Sequence, residues 1–314
     1  MAPFILRRLA SVIVILFVVA VVVFSITNIL PGNVAYMILG DYATPHAVAA
    51  LEHKLGLNDP LPIQFWRWFS GFMRGDMGRS LLSEQPVQSL IALRLPRSLV
   101  LAVIVTISTA LLGTAFGVLT ATHQGGPIDH GLSLLTFIGI ALPEFFWGIV
   151  LIVVFAGQLR LLPSSGYTSF AQGPLAWAQH LVLPALTLNI TMLAHVTRLT
   201  RANMIDVLKR QFITTARSKG LREYRVNWGH ALKNALLPTT TVIAMNIGWL
   251  MGGIVVVETV FAYPGLGRLM LQAIVQRDLP VIQSTILLST FIYCISNLAA
   301  DIAYSYLDPR IRYR

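Results

Sequence analysis

Residues 212–238 read FITTARSKGLREYRVNWGHALKNALLP, the most charged stretch of a chain otherwise built from apolar runs. Of 314 residues 55% are apolar and 11% charged, and mean hydropathy is +0.71. A soluble domain carries about 25% charged residues, so this composition specifies an integral membrane protein. The charged stretch is then a loop between two spans, and its side of the membrane sets the topology.

A crossing helix needs about 20 apolar residues. Six runs qualify or nearly so: 9–30, preceded by Arg7 and Arg8; 98–122; 131–157; 181–196, with Pro184 inside it; 238–261; and 281–306. The first is too long for a signal-peptide core and no A-x-A site follows, so it reads as a retained anchor. The connection between the fourth and fifth runs holds nine Lys and Arg against Asp206 and Glu223, which places it in the cytoplasm. Six spans put both termini there too, in keeping with Arg7 and Arg8 at one end and Arg310, Arg312 and Arg314 at the other. The loop THQGGPIDHG between the second and third runs has no Lys or Arg and is silent on orientation. In the long segment 31–97, five Lys and Arg up to Arg94 face five acids, as translocated sequence tolerates. The organisation expected is an N-terminal end and first span (1–30), an extracytoplasmic segment (31–97), a core of spans two to six (98–306) containing a cytoplasmic segment (203–236), and a cytoplasmic tail (307–314).

Enzymatic motifs are missing. The seven histidines show no H-x-x-x-H spacing, Cys294 is the lone cysteine, there is no G-x-S-x-G elbow, and no lysine follows a glycine. The last point excludes a Walker A loop, so any ATP used must be bound by another chain. Nothing calls for nucleic acid or for a cofactor in this chain.

From Asn203, helical spacing aligns Ile205, Leu208, Phe212 and Ala216, with Lys209, Arg210, Arg217 and Lys219 on other faces. Gly220 reads as a C-cap, and a second helix from about Glu223 to Leu236 is expected to stop at Pro238. The pair is expected to project an apolar ridge on a basic body. Two roles suit it: resting on anionic lipid headgroups, or docking in a groove of a soluble partner.

The residues 214–220, TTARSKG, with Leu237-Pro238 downstream, resemble the E-A-A-x-x-x-G…L-P segment of ATP-binding-cassette importer permeases. Thr214 stands where that pattern has Glu, and the spacing from Gly220 to Pro238 is longer than usual. The variant is similar to the dipeptide, oligopeptide and nickel branch, binding-protein-dependent transport inner membrane components. Further resemblance lies in LPG (30–32), LGLNDPLPIQFWRW (55–68), GDMGRS (75–80), LPRSL (95–99), LVLPALTL (181–188), RLTRANM (198–204), VVVETVFAYPGLGRL (255–269), RDLPVIQ (277–283) and NLAADIAYSYLDPRIR (297–312). Asn33 replaces the Asp that generally follows LPG.

The resemblance implies an all-α, six-span, multi-pass permease of the type I importer fold in a bacterial or archaeal cytoplasmic membrane, with cytoplasmic coupling helices. It implies as partners a second homologous permease, one or two ATPase subunits that bind ATP and Mg, an extracytoplasmic substrate-binding protein and membrane lipid. By it, Thr214, Thr215, Ala216, Arg217, Lys219, Gly220 and Leu221 dock the ATPase. Tyr263, Pro264, Gly265, Leu266 and Gly267 belong to an outside loop that meets the binding protein. Dipeptides or oligopeptides are the expected cargo; nickel, glutathione or another small solute is the alternative.

Acidic groups at membrane depth default to functional roles: Glu144 in ALPEFFWG, Glu258 before YPGLG and Asp301 in the last span are candidates for the path, an ion pair or cap being the other reading of Asp301. Gly113 with Gly117 and Gly248 with Gly252 permit close helix contact, within the chain or between chains. Phe65, Trp66, Trp68 and Phe69 suit a membrane interface. A secondary transporter would show paired repeats with carboxylates at matching depths, which are not evident, and a scaffold would not need the coupling segment.

Overall fold

The computed structural model describes residues 2–29, 34–39 and 43–307. LPG at 30–32, Asn33 and the tail beyond Leu307, with its three arginines, lie outside them. The described residues are helical apart from turns: α1 (Ala2–Ile29), α2 (Val34–Leu39), α3 (Pro45–Leu55), α4 (Leu61–Met73), α5 (Val87–Ser108), α6 (Thr114–Thr122), α7 (Pro127–Ala141), α8 (Glu144–Leu151), α9 (Pro174–Leu208), α10 (Gln211–Ser218), α11 (Leu232–Val260), α12 (Leu266–Gln276) and α13 (Leu279–Leu307).

By length and composition four stretches can cross a membrane: 6–29 in α1, 87–122 through α5 and α6, α9, and 279–299 in α13. The run expected to be one straight third span is two helices bent by 109°, α7 and then α8 with the π-turn Ile152–Gln158. The fifth run lies in α11, whose stretch Asn246–Val260 is apolar. Among the described residues four straight stretches meet the length and composition of a span, with the bent pair and α11 beside them.

Prolines do not interrupt the helices where the sequence suggests. Pro96, Pro184 and Pro238 all lie inside continuous helices. Each removes one backbone donor, a loss that helices packed among others in a membrane tolerate. Thr187 donates its hydroxyl to the Leu183 carbonyl at 2.8 Å, Thr239 donates to that of Ala235 at 3.3 Å, and the π-turn Arg225–Ala231 leads into α11. The second cytoplasmic helix accordingly runs on past Pro238 into the span instead of stopping. Similarly, α5 starts at Val87 and not near Ser98.

Helix α9 is the axis of the molecule, packed by α5, α6, α7, α8 and α11. Close approach needs small residues: a Cβ on Gly113 would lie 2.8 Å from Val196, and one on Gly117 would collide with Thr200. That pair is thus used inside the chain. At the same crossing α5 passes into α6 through a π-turn, Thr109–Gly113, whose Thr109 hydroxyl donates to Asn189 Oδ1 at 2.7 Å. Gly248 abuts Tyr293 of α13, whereas Gly252 has open space.

On the other side α1 packs against α13. Phe65 and Trp68 of α4 pack on Phe24 of α1, and Phe65 and Phe69 on Phe17. Three of the four expected interface aromatics therefore bind a helix, while Trp66 is exposed.

Candidate functional site

The charged stretch folds differently from one long helix. α9 ends at Leu208, Arg210 is extended (φ −78°, ψ 149°), and α10 begins at Gln211. Lys209 and Arg210 suit a helix C-terminus electrostatically, and the break lets Ile213 and Ala216 turn back onto Met204, Val207, Val226, Ala231 and Ala235. A continuous helix would carry Ile213 away from that cluster. This segment is too charged for lipid, so burying Ile213 or Val226 contributes about 1.5–3 kcal/mol each.

The apolar ridge expected to project is consequently turned inward. Ile213 and Ala216 are buried, Ile205 and Leu208 half-buried, and only Phe212 of the predicted stripe is exposed. Of the seven expected docking residues, Thr214, Thr215, Arg217, Lys219 and Gly220 are exposed, Leu221 is half-buried and Ala216 is buried. Ala216 supports the helix from below.

Gly220 ends α10 in the left-handed region, φ +74°. Its N–H donates to the Arg217 carbonyl at 2.9 Å, and the Leu221 N–H donates to that of Ala216 at 3.3 Å. This is the Schellman pattern, with Leu221 and Ala216 sharing its apolar contact. Nothing lies within 4 Å of where a Gly220 Cβ would stand, so the glycine serves conformation and leaves an open surface. Across the turn Arg217 grips Glu223 with both ends of its guanidinium, at 2.8 and 3.1 Å. Tyr224 and Trp228 follow on an exposed face, their rings 6.3 Å apart.

At the opposite end of α11 the other glycine-rich motif is a closed knot. Glu258 is fully buried. It accepts the Ser98 hydroxyl and the N–H groups of Gly267 and Arg268, the last at 3.0 Å. The Ser98 oxygen in turn accepts the Leu266 N–H at 2.8 Å. A carboxylate and a hydroxyl from two other helices therefore cap the first turn of α12, which has no capping side chain of its own. Gly265 and Gly267 leave room for that carboxylate: a Cβ on Gly265 would overlap it, and one on Gly267 would lie 2.6 Å from Val255 Cα.

Tyr263 closes the knot, donating to the Arg97 carbonyl at 3.3 Å and meeting the Tyr167 ring edge-on. Burial, with Tyr167 and Glu258 nearby, pushes its phenol up from the usual tyrosine range. Arg97 lies over the Tyr167 ring and donates to the Pro264 carbonyl at 3.3 Å.

Glu258 is thus a fully buried carboxyl with its partners inside the chain. Tyr263, Gly265, Leu266 and Gly267 are buried within the chain and Pro264 is half-buried, so these residues build the corner. A second tie joins two other motifs: Asp278 accepts the Ser80 hydroxyl and the Leu81 N–H, the latter at 3.1 Å.

Asp301 pairs with Arg8 at 3.0 Å, tying α13 to α1. An ion pair, one of the two readings of Asp301, is thus present. Glu144 differs. It opens α8 just after the bend, rests against Gly253 of α11 and Leu188 of α9, and its Oε1 is buried with no hydrogen-bond partner. Among the described residues no group of three or more His, Cys, Asp or Glu could hold a metal ion.

Ser98 and Asp278 escaped the reading of the sequence, although each lies in a quoted motif. Asp129 and Arg201 did as well; they form the best-buried ion pair, at 2.7 Å on both forks. The available signal was an acid at the start of an apolar helix in a loop without Lys or Arg.

The profile of the binding-protein-dependent transport system inner membrane component matches residues 113–313, and that of the same system's membrane-component N-terminal part matches 1–102. The chain belongs to this family. It is an inner-membrane permease subunit of an ATP-binding-cassette importer. A probable peptide ABC transporter permease of Sinorhizobium fredii is 42% identical over 313 residues, covering 100% of both chains. The oligopeptide transport system permease AppB of Bacillus subtilis is 38% identical over 316 residues, and the glutathione transport system permease GsiC of Salmonella paratyphi A 37% over 314, each again covering 100% of both chains.

Proposed function

We propose that this permease forms half of a translocation pathway for dipeptides or oligopeptides. It pairs with a second homologous permease, receives motion from one or two ATPase subunits that bind ATP and Mg, and accepts cargo from an extracytoplasmic binding protein. The chain itself hydrolyses nothing. Both termini and the 203–236 segment face the cytoplasm of a bacterial or archaeal cell, 31–97 is extracytoplasmic, and the tail from 307 is cytoplasmic.

The observation that carries the reading is the seat at α10. Thr214, Thr215, Arg217, Lys219 and Gly220 are exposed around a rigid turn with open space above Gly220, while Ala216 and Leu221 anchor the same turn from beneath. A two-state permease needs contacts that differ between states, and a firmly anchored helix with a bare outer face supplies a handle for them. Glu144, orphaned at a bend in the membrane, is the remaining path residue, because an acidic group at that depth belongs to a protein-lined polar route.

The test is uptake of a labelled dipeptide into proteoliposomes holding the full complex, with and without ATP and binding protein. ATP-dependent uptake is expected, and Glu144→Gln should slow it by about tenfold. A complex that takes up no peptide but takes up glutathione would move the cargo to the alternative that the 37% identical glutathione permease favours.

A further inference from the structure

The α7–α9 junction carries an ion pair that neither the seat at α10 nor the path accounts for. Asp129, third residue of α7, is 4% exposed and uses both carboxylate oxygens fully. Oδ1 accepts Arg201 Nε at 2.7 Å and the Ser133 hydroxyl at 3.3 Å. Oδ2 accepts Arg201 Nη2 at 2.7 Å and the Gly125 N–H at 2.9 Å.

Gly125 and Ser133 are local contacts that complete the start of α7, as an acidic residue in a first turn does. Arg201 is different in kind, because it reaches across 72 residues of sequence to another helix. Its planar fork allows only one relative orientation of the two groups. The pair therefore fixes direction as well as distance between α7 and α9.

Its place in the chain gives that constraint a use. Arg201 lies two turns, about 10 Å, before the end of α9, after which only Lys209 and Arg210 precede α10. Asp129 begins the helix that ends at the 109° bend, and Glu144 opens the next one. Farther along α7, Gly139 sits against Ile190 of α9, a Cβ there lying 3.1 Å away, so the two helices have a close upper contact as well as the lower clamp.

We propose that Asp129 and Arg201 are positioning residues that make α7 move with the end of α9, so that displacement of α10 reaches the bend at Glu144. The inference rests on the reading of α10 as the receiver of ATPase motion. Without the clamp, α10 and the end of α9 can shift while α7 stays behind, and hydrolysis proceeds with little transport.

The test uses the whole complex in a Cys294→Ser background, with spin labels at two exposed positions, Ser218→Cys on α10 and Leu135→Cys on α7. Label-to-label distances are measured by electron–electron resonance with and without ATP, beside uptake per ATP hydrolysed. The intact pair is expected to give the same narrow distance distribution with and without ATP. Asp129→Leu/Arg201→Met, which removes the charges together and leaves no buried ion unpaired, should broaden it and lower uptake per ATP by about tenfold, the scale of a site-to-site coupling. The reversed pair Asp129→Arg/Arg201→Asp should recover part of both. If the apolar pair does not purify, Arg201→Lys keeps the charge, loses the fork, and should broaden the distribution to a lesser degree. An unbroadened distribution in the apolar pair, or in Arg201→Lys where that is the variant measured, overturns the proposal. ATP-dependent uptake retained by Gly220→Trp would instead sink the reading of α10, and the width comparison would still decide the clamp.

Discussion

The two glycine-bearing motifs on either side of α11, one ending α10 and one leading into α12, are opposites as structures. In TTARSKG the glycine is exposed, left-handed and open to space. In ETVFAYPGLG the glycines are buried against the Glu258 carboxyl and the Val255 backbone. One motif builds a surface on a small core, and the other uses its residues up inside. Motif content therefore does not reveal whether a stretch touches a partner. The space around each missing Cβ separates the two structures.

That contrast can be broken by substitution. Glu258→Ala should cost most, about 3–5 kcal/mol, because it opens a cavity and orphans the Ser98 hydroxyl and two backbone donors at once. Thermal unfolding in detergent would show it, and a Tm equal to that of the unaltered chain would refute the knot. Gly267→Ala should cost about 1–3 kcal/mol by overpacking on Val255, measured in the same way. Gly220→Ala should cost only about 1 kcal/mol, since it carries the left-handed strain and meets no neighbour. Smallest is Arg217→Ala, at or below about 0.5 kcal/mol, because its pair with Glu223 is exposed and screened by salt. A larger loss for Gly220 than for Gly267 would reverse the comparison.

Much of the helical layout was legible, because apolar runs of span length can form little else in lipid. The failures have physical causes. Proline at 184 and 238 reads as an interruption in water, yet a helix packed among others in a membrane runs through it. The break after Leu208 has no sequence signal of its own; it follows from Ile213 and Ala216 competing for a core that only the folded chain provides. The stripe Ile205, Leu208, Phe212 and Ala216 was sound as periodicity but assumed one unbroken helix, so Phe212 was misplaced by the turn.

At the sites, Gly220 was readable because a left-handed cap has a strong residue preference. Glu258 was readable as unusual but not as structural, since its partners Ser98 and Arg268 come from another helix and from the far side of a loop. Asp301 was open between two readings until Arg8, on the first helix, was placed beside it. Glu144 alone of the three acids has a buried oxygen without a hydrogen-bond partner.

The most direct measurement is affinity purification of the tagged chain from its native membrane in mild detergent, comparing the unaltered protein with Gly220→Trp. The account predicts that ATPase subunits copurify with the unaltered chain and are lost from the variant, while the variant still purifies with a Tm lowered only by left-handed strain of about 1 kcal/mol, since a Cβ there meets no neighbour. ATPase retained by Gly220→Trp, or absent from the unaltered chain, would contradict the assignment of α10 and its turn as the seat.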